Sequence, residues 1–389
     1  MKKLILAILA VTGFGVAQAQ SSVTVYGILD VGYIGSNYKG TGTSATSKQT
    51  TSAIGNNGES TSRLGFKGQE DLGGGTSALF TFETGINPAD STLSTFNTRQ
   101  AFVGIKQSGL GQVLVGTQNT PIFNAVQITD PGNANNMLGN AIYSTSPQAN
   151  GNAGTAPYAG TSSSAGASDA FTLRTSNAVS VTSEKFAGFS GTGLLTQNNQ
   201  NNTQTSPTEG GQNNHSGWGL GVNYEWQKLY LTANYQALKS LQSAATLTSP
   251  TPAIWNTTSG GTNTQDNQTY VAATYDFGIL KAYAQYVNRK ATDTLNTGYY
   301  AQRKAEQIGV RGFITPTIEA WVSGGLGKVT AFGQGQPSAN FTAYQLGSNY
   351  YLSKRTNLYA IFGSTQTAST STNSGVSGNS YGLGVRHTF

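Results

Sequence analysis

Short segments in which apolar and polar residues alternate recur along the whole chain, and this feature constrains the fold most. At the C-terminus the apolar side chains share one parity: Tyr381, Leu383, Val385 and Phe389. Successive side chains of a strand point to opposite faces, so such a segment presents one apolar and one polar face. Over about 10 residues this is typical of a membrane-spanning strand, and no long segment holds a helical period. The pattern predicts an all-β fold.

The N-terminus has the three parts of an export signal. Met1-Lys2-Lys3 is a short cationic stretch, residues 4–16 are apolar, and Ala17-Gln18-Ala19 has the small residues that a signal peptidase requires. The apolar run is shorter than the roughly 20 residues of a membrane-spanning helix. We therefore expect residues 1–19 to be a removed signal peptide and residues 20–389 to form a single domain.

The composition excludes several classes of protein. The chain has no cysteine, which removes disulfides, zinc–thiolate sites and a lipid-anchored N-terminus. Without Lys2 and Lys3, 20 basic residues stand against 16 acidic ones, a net charge of about +4 that is too small and too dispersed to predict nucleic-acid binding. An exported chain of this kind can cross a membrane only as a closed barrel, because lipid cannot satisfy free backbone groups.

The connections between the alternating segments are of two kinds, short turns and long polar stretches. Gly73-Gly74-Gly75 and Gly109-Leu110-Gly111 are typical of the short kind. The long kind includes Lys39–Glu59, Asn198–Asn214 and, longest of all, residues 119–168. Short turns at one end and long loops at the other are the arrangement of an outer-membrane barrel, and the count predicts about 16 antiparallel strands. Residues 119–168 follow the fifth strand and form the third long loop.

Several segments resemble the trimeric porins of Gram-negative bacteria, in particular those of β-proteobacteria. The resemblance covers the whole exported chain and is carried, in order, by Val23–Asp30, Ser62–Gly75, Arg99–Gly104, Tyr350–Ala360 and the terminal Phe389. It implies a transmembrane barrel of sixteen strands, assembled as a homotrimer in outer-membrane lipid and lipopolysaccharide, with the third loop folded into the lumen. It also implies that Phe389 is the signal read by the barrel-insertion machinery.

The same resemblance implies arginines on the barrel wall that face acidic residues of the third loop. Parity sends Arg63, Lys67 and Arg174 into the lumen, away from apolar neighbours such as Leu64 and Phe66. An arginine facing lipid at mid-depth would cost about 2–4 kcal/mol, which favours the same orientation. Arg99 fits less well, because its parity partners are apolar. We expect all four cations to line the constriction.

The long loop carries one carboxylate before residue 169, Asp130, in a sequence that could also be an ordinary turn. Three or more cations against one anion predict a positive local potential and a preference for anions. The expected function is passive diffusion of small hydrophilic solutes and ions through the outer membrane. A solute-specific channel and an exported adhesin or other surface β protein remain alternatives.

Sequence motifs for catalysis are absent. The two histidines, His215 and His387, lie far apart and have no cysteine to complete a metal site. There is no nucleophile elbow and no phosphate loop after a strand. We therefore expect no enzymatic activity, cofactor or metal.

Overall fold

The computed structural model describes residues 22–41, 48–89, 97–143, 170–206, 209–242, 263–294, 297–298, 300–332, 336–368 and 375–389. The signal peptide predicted at residues 1–19 lies outside this part. The described residues form one α-helix, α1 (Pro121–Thr129), and seventeen strand segments: β1 (Ser22–Thr41), β2 (Lys48–Asn56), β3 (Arg63–Gly73), β4 (Thr76–Gly85), β5 (Asn97–Gln107), β6 (Gly111–Asn119), β7 (Arg174–Ser183), β8 (Phe189–Ser206), β9 (Glu209–Trp226), β10 (Leu229–Gln242), β11 (Thr264–Asp276), β12 (Lys281–Asp293), β13 (Tyr300–Thr315), β14 (Ile318–Phe332), β15 (Gln336–Tyr351), β16 (Thr356–Thr367) and β17 (Gly375–Thr388).

The strands form a single closed antiparallel sheet. Each consecutive pair from β3 to β17 is hydrogen-bonded, and β17 returns to β1 along the register from Ile28–Thr388 to Thr41–Gly375. The other edge of β1 pairs with β2 in its second half and with β3 in its first half. Since β2 and β3 are two parts of one barrel strand, the seventeen segments make sixteen barrel strands, which confirms the predicted fold.

Two predicted loops differ from the structure. Lys39–Glu59 contains β2, and Asn198–Asn214 contains the paired ends of β8 and β9. Both stretches are polar on both faces, so they lack the apolar stripe that marks a strand in lipid. Strands that continue above the membrane meet water on both faces and need no such stripe. Alternation therefore identified the membrane part of these strands and missed their extensions.

The side-chain distribution is the reverse of that in a water-soluble protein. Apolar side chains on the outer surface are exposed, as at Val23 (67%), Val103 (62%) and Leu383 (60%). Glutamines on the inner surface are buried, as at Gln236 and Gln345, both 0% exposed. No helix within the described residues is long and apolar enough to cross a membrane. The apolar belt and the polar interior are those of a barrel surrounded by lipid.

Helix α1 and the residues around it fill part of the barrel interior. The Thr120 hydroxyl caps the helix by accepting a hydrogen bond from the Phe123 N–H at 3.3 Å, and Pro121 occupies the first turn, where its missing N–H costs nothing. The rings of Phe123, Tyr143 and Phe171 then pack on one another with centroids 5.9–6.3 Å apart. A small apolar core thus lies inside the barrel.

Candidate pore constriction

The segment Thr120–Tyr143, called the inner loop below, lies against the inner surface of the barrel. It is the described part of the long loop predicted at residues 119–168. It passes so close to the wall that a Cβ atom on Gly363 would collide with the carbonyl of Leu138, and one on Gly309 would lie 2.6 Å from the ring of Pro131. At its start a Cβ on Gly221 would lie 3.3 Å from Pro121. The inner loop therefore follows the wall from β9 to β17.

A row of inward-facing glutamines lies along this part of the wall, and two of them bind the inner loop. We call it the amide wall; its members are Gln236, Gln268, Gln285, Gln307 and Gln345, on β10, β11, β12, β13 and β15. Gln307 accepts from the Ala141 N–H at 2.8 Å, and Gln345 exchanges two hydrogen bonds with the amide of Asn135, at 2.6 and 2.9 Å. A side-chain amide can both donate and accept, so one residue type can satisfy the N–H and carbonyl groups of an irregular backbone.

Asp130, the expected acid of the constriction, is bound to the amide wall. Its side chain is 1% exposed and accepts from Asn140 Nδ2 at 2.7 Å, Gln307 Nε2 at 3.0 Å and the Ala134 N–H at 2.8 Å. Burial raises the pKa of this carboxyl above its ordinary value, and the hydrogen bonds oppose that rise. Within the described residues Asp130 forms no ion pair, so its role here is to close the turn after α1.

The arginines predicted for the constriction lie on a different part of the wall from the amides. Arg63, Arg99 and Arg174 come from β3, β5 and the start of β7, and Arg386 of β17 joins them. Arg63 interacts electrostatically with both Arg99 and Arg386, and Arg174 interacts with Arg63 and Arg99. We call these four residues the arginine arc. Arg174 also lies over the ring of Phe123 in the inner loop, with 5.2 Å from Cζ to the ring centroid.

A β-bulge explains why the parity of Arg99 was ambiguous. Glu83 pairs with Gln100 but Thr84 pairs with Thr98, so Arg99 is an extra residue opposite the junction of Glu83 and Thr84. An extra residue reverses the alternation on one side of the bulge. Val103 continues the outward face of β5, whereas Arg99 is 6% exposed and lies in the lumen.

Glu83 on β4 is an acidic member of the site that the sequence reasoning missed. Its Oε1 accepts from Arg99 Nε at 2.6 Å and lies 3.9 Å from Arg63 Nη1, while its Oε2 accepts from the Tyr26 hydroxyl at 3.2 Å. A signal was available, because Glu83 has the parity opposite to Phe80 and Phe82. The resemblance places the acids of the site in the long loop, whereas Glu83 lies on a barrel strand.

The remaining predicted residues lie at separate places. Lys67 is exposed on the inner side of β3, with Nζ 5.4 Å from the centroid of the Tyr26 ring. Phe389 completes the closure of the barrel, since its N–H donates to the Gly27 carbonyl at 3.2 Å and its carbonyl accepts from the Gly27 N–H at 3.1 Å. Among the described residues, no group of three His, Cys, Asp or Glu side chains could hold a metal ion.

The fold and the lumen together define a membrane β-barrel with an internal loop. The family model described as Gram-negative porin matches residues 6–385, and the chain belongs to this family. It is an integral β-barrel of the outer membrane. The porin relatives are channels rather than enzymes.

Two curated relatives and one solved structure show the range of similarity. The chain is 37% identical to outer membrane porin protein 32 of Delftia acidovorans over 31% of this chain and 33% of that protein. It is 34% identical to an outer membrane porin protein of Bordetella pertussis over 37% of this chain and 42% of that protein. These alignments thus span about a third to two fifths of the relatives' lengths. The structure of an anion-selective porin from Comamonas acidovorans matches 95% of this chain and 100% of its own with a TM-score of 0.68, at 21% identity.

Proposed function

We propose that the chain forms a water-filled channel through which small hydrophilic solutes and ions diffuse passively across the outer membrane. The observation that carries this proposal is the division of the lumen. The inner loop is fastened to the amide wall on one side, and the arginine arc lines the other side, so solutes pass between them. Membership of the porin family supports the same function.

The channel prefers anions. The arginine arc and Lys67 contribute five positive charges against three carboxylates of the same region: Glu83, which is paired within the arc, and Asp30 and Glu59 beside it. Asp130 is turned away and buried, so it offsets little of this charge. A narrow passage with a net positive wall concentrates anions and repels cations. The structural neighbour from Comamonas acidovorans is described as anion-selective, which agrees with this proposal.

The channels assemble as homotrimers through the outer face of β1 and β3–β7. That face carries a groove of about 1010 Å³ lined by apolar and small residues such as Val23, Gly104 and Val113. Aromatic side chains mark the lipid interface at the short-turn end from β9 to β15: Trp226, Tyr275, Phe277, Phe313 and Tyr350. At the corresponding end of β3 and β5 the exposed apolar residues are Leu72 and Leu110. A second copy of the chain seated in this groove would cover its apolar residues. Lipopolysaccharide would surround the side of the barrel that carries the aromatic residues. Phe389 would direct insertion of the barrel into the outer membrane by the barrel-insertion machinery.

A planar bilayer experiment tests the function directly. We expect detergent-purified protein to insert in steps of three equal conductances, with an anion-selective reversal potential under a KCl gradient. Cation selectivity would contradict the role of the arginine arc and leave the channel intact. Current that saturates with, or is blocked by, one solute would favour a solute-specific channel. Folded protein without conductance would refute the proposed function.

A further inference from the structure

A six-residue segment, four residues longer than regular pairing requires, divides the second barrel strand and folds into the lumen. Register pairs Val31 with Asn56 and Ile28 with Arg63, so Asn57–Ser62, six residues, lie opposite Leu29 and Asp30, two residues. We call Asn57–Ser62 the insert. Five of its six residues are buried, although both flanking segments belong to the barrel wall. The surplus chain therefore projects inward.

The buried side chain of Asp30 holds the backbone of the insert. Asp30 Oδ2 accepts from the N–H groups of Glu59 and Ser60 at 2.8 and 2.6 Å, and its Oδ1 accepts from the Tyr359 hydroxyl at 2.7 Å. A hydrogen bond from the Ser62 N–H to Asn57 Oδ1 at 2.6 Å joins the two ends of the insert. A carboxylate that accepts two consecutive N–H groups fixes a turn firmly, because such bonds are charge-assisted.

The insert reaches across the inner surface of the barrel to β15 and β16. The Glu59 carboxylate accepts from Asn349 Nδ2 on β15 and from Asn357 Nδ2 on β16, both at 2.8 Å. A Cβ atom on Gly58 would lie 2.6 Å from the Tyr359 hydroxyl, so the backbone rests directly on β16. Both carboxylate oxygens of Glu59 accept hydrogen bonds, so the insert is held in place and narrows the lumen as a fixed structure.

The insert also contacts the inner loop and two members of the arginine arc. Asn136 of the inner loop donates its N–H to the Gly58 carbonyl at 3.2 Å and its Nδ2 to the Asn57 carbonyl at 2.8 Å. Arg63 Nε donates to the Thr61 carbonyl at 2.9 Å, and Arg386 Nε donates to Ser60 Oγ at 3.0 Å. Arg63 and Arg386 are thus held by the insert on either side of β1.

We propose that the insert is a second constriction element, which sets the width of the pore beside the inner loop and fixes the guanidinium groups of Arg63 and Arg386. The inference rests on the proposed channel function. It assigns solute size discrimination to Asn57–Ser62 as well as to the inner loop, and it makes Asn136 the contact through which the two elements brace each other.

Shortening the insert tests its contribution to pore width. A variant with Gly58–Thr61 deleted leaves two residues opposite Leu29 and Asp30, so the strand can pair without interruption. We expect its single-channel conductance to rise about twofold, because conductance follows the cross-section of the narrowest part. Larger neutral sugars should enter proteoliposomes that contain it. Unchanged conductance and sugar exclusion in the folded variant would overturn the inference.

A labelling experiment avoids the risk that the deletion fails to fold. The natural chain has no cysteine, so a single Ser60→Cys is the sole thiol. We expect a charged, water-soluble thiosulfonate reagent to lower the current of this variant by at least about a third. Ser338→Cys, exposed on β15, is the matched control, and its modification should leave the current unchanged.

The outcomes separate the two proposals. A wild-type protein without conductance would refute the channel itself. A conducting wild type whose Ser60→Cys variant is modified, as mass spectrometry would show, without loss of current would refute the role of the insert alone. A Ser60→Cys that resists modification while the deletion variant conducts like the wild type would refute it as well.

Discussion

The two halves of the inner wall carry different side chains, neutral amides on one half and arginines on the other. From β10 to β15 the wall carries neutral amides, two of which bind the inner loop directly, while β3, β5, β7 and β17 carry the arginine arc. Burying an unpaired charge under a loop costs several kcal/mol, whereas an amide satisfies backbone groups without that cost. Buried charges in the covered half have partners, since Arg289 pairs with Asp266 and Arg311 with Glu319, while Asp130 is held by hydrogen bonds from neutral groups. The chain therefore keeps excess charge where solutes pass.

Neutralising the arc should have the largest effect on ion selectivity. We expect the triple variant Arg63→Gln, Arg99→Gln, Arg174→Gln to lower the anion-to-cation permeability ratio at least about threefold, because the net positive wall is removed. Reversal potentials under a KCl gradient measure the ratio.

The matched control removes the same charge from the outer surface. Lys304 and Lys328 are opposite each other on β13 and β14, on the face of the exposed Ile308 and Leu326, and Lys290 lies on the same side of β12. Changing these three lysines to glutamine should leave the ratio close to that of the wild type. An equal loss of selectivity in both triple variants would show that net charge matters and the position of the arc does not.

Removing the acid of the arc separates stability from selectivity. We expect Glu83→Gln to lower the free energy of unfolding by about 3 kcal/mol, because the nearly buried Arg99 loses its charged partner. Anion preference should increase at the same time. Urea unfolding in detergent micelles and reversal potentials provide the two measurements.

Glu225→Gln is the control for this change, because the Lys185–Glu225 pair is exposed at the short-turn end. Loss of this exposed ion pair should lower the free energy of unfolding by less than about 1 kcal/mol. Equal destabilisation of the two variants would mean that the buried Glu83–Arg99 pair stabilises the fold no more than an exposed ion pair does.

On the amide half, loss of one glutamine should loosen the inner loop without altering ion selectivity. Gln307→Ala removes the acceptor of the Ala141 N–H and the donor to Asp130 and Gln285. We expect this substitution to lower the free energy of unfolding by about 1–3 kcal/mol. Current noise should rise while the reversal potential stays constant.

Gln302→Ala on the same strand is the control, since Gln302 points outward and its Nε2 donates to Asn288 Oδ1 at 2.8 Å. Its single-channel current should be as quiet as that of the wild type. A quiet Gln307→Ala channel would imply that the inner loop stays in place without the amide wall.

The smallest effect concerns pH. Since burial raises the folded-state pKa of Asp130, the folded protein binds more protons than the unfolded chain between the two pKa values. The contribution of this group to stability should therefore fall as pH rises through that window. The difference in urea midpoint between the wild type and Asp130→Asn, measured across mildly acidic pH, should carry this slope. A flat difference would mean that folding does not shift the proton affinity of Asp130.

The alternation of residue types was sufficient to predict the barrel and the inward direction of Arg63 and Lys67. A period of two is a local property of strands, so it is visible without any knowledge of tertiary contacts. The same reasoning placed the long loop after the fifth strand. It misjudged Lys39–Glu59, because strand pairing above the membrane leaves no apolar stripe.

Other parts of the site depend on contacts that alternation cannot show. The bulge that turns Arg99 inward exists because the register between β4 and β5 shifts by one residue after Glu83. Asp130 was expected opposite the arginines, yet Gln307 and Asn140 hold it against the other wall. Both outcomes are set by the pairing of distant residues.

The sequence by itself determined the class of fold, since each membrane strand must be apolar outside and polar inside whatever its neighbours are. Only the tertiary structure decided how the lumen is divided. The course of the inner loop depends on Gly309 and Gly363, where the wall permits close approach, and on the amides of Gln307 and Gln345, which bind the loop. The insert depends on one buried carboxylate, Asp30, and on partners about 300 residues away. Such contacts are decided by three-dimensional closure of the barrel, and no local pattern encodes them.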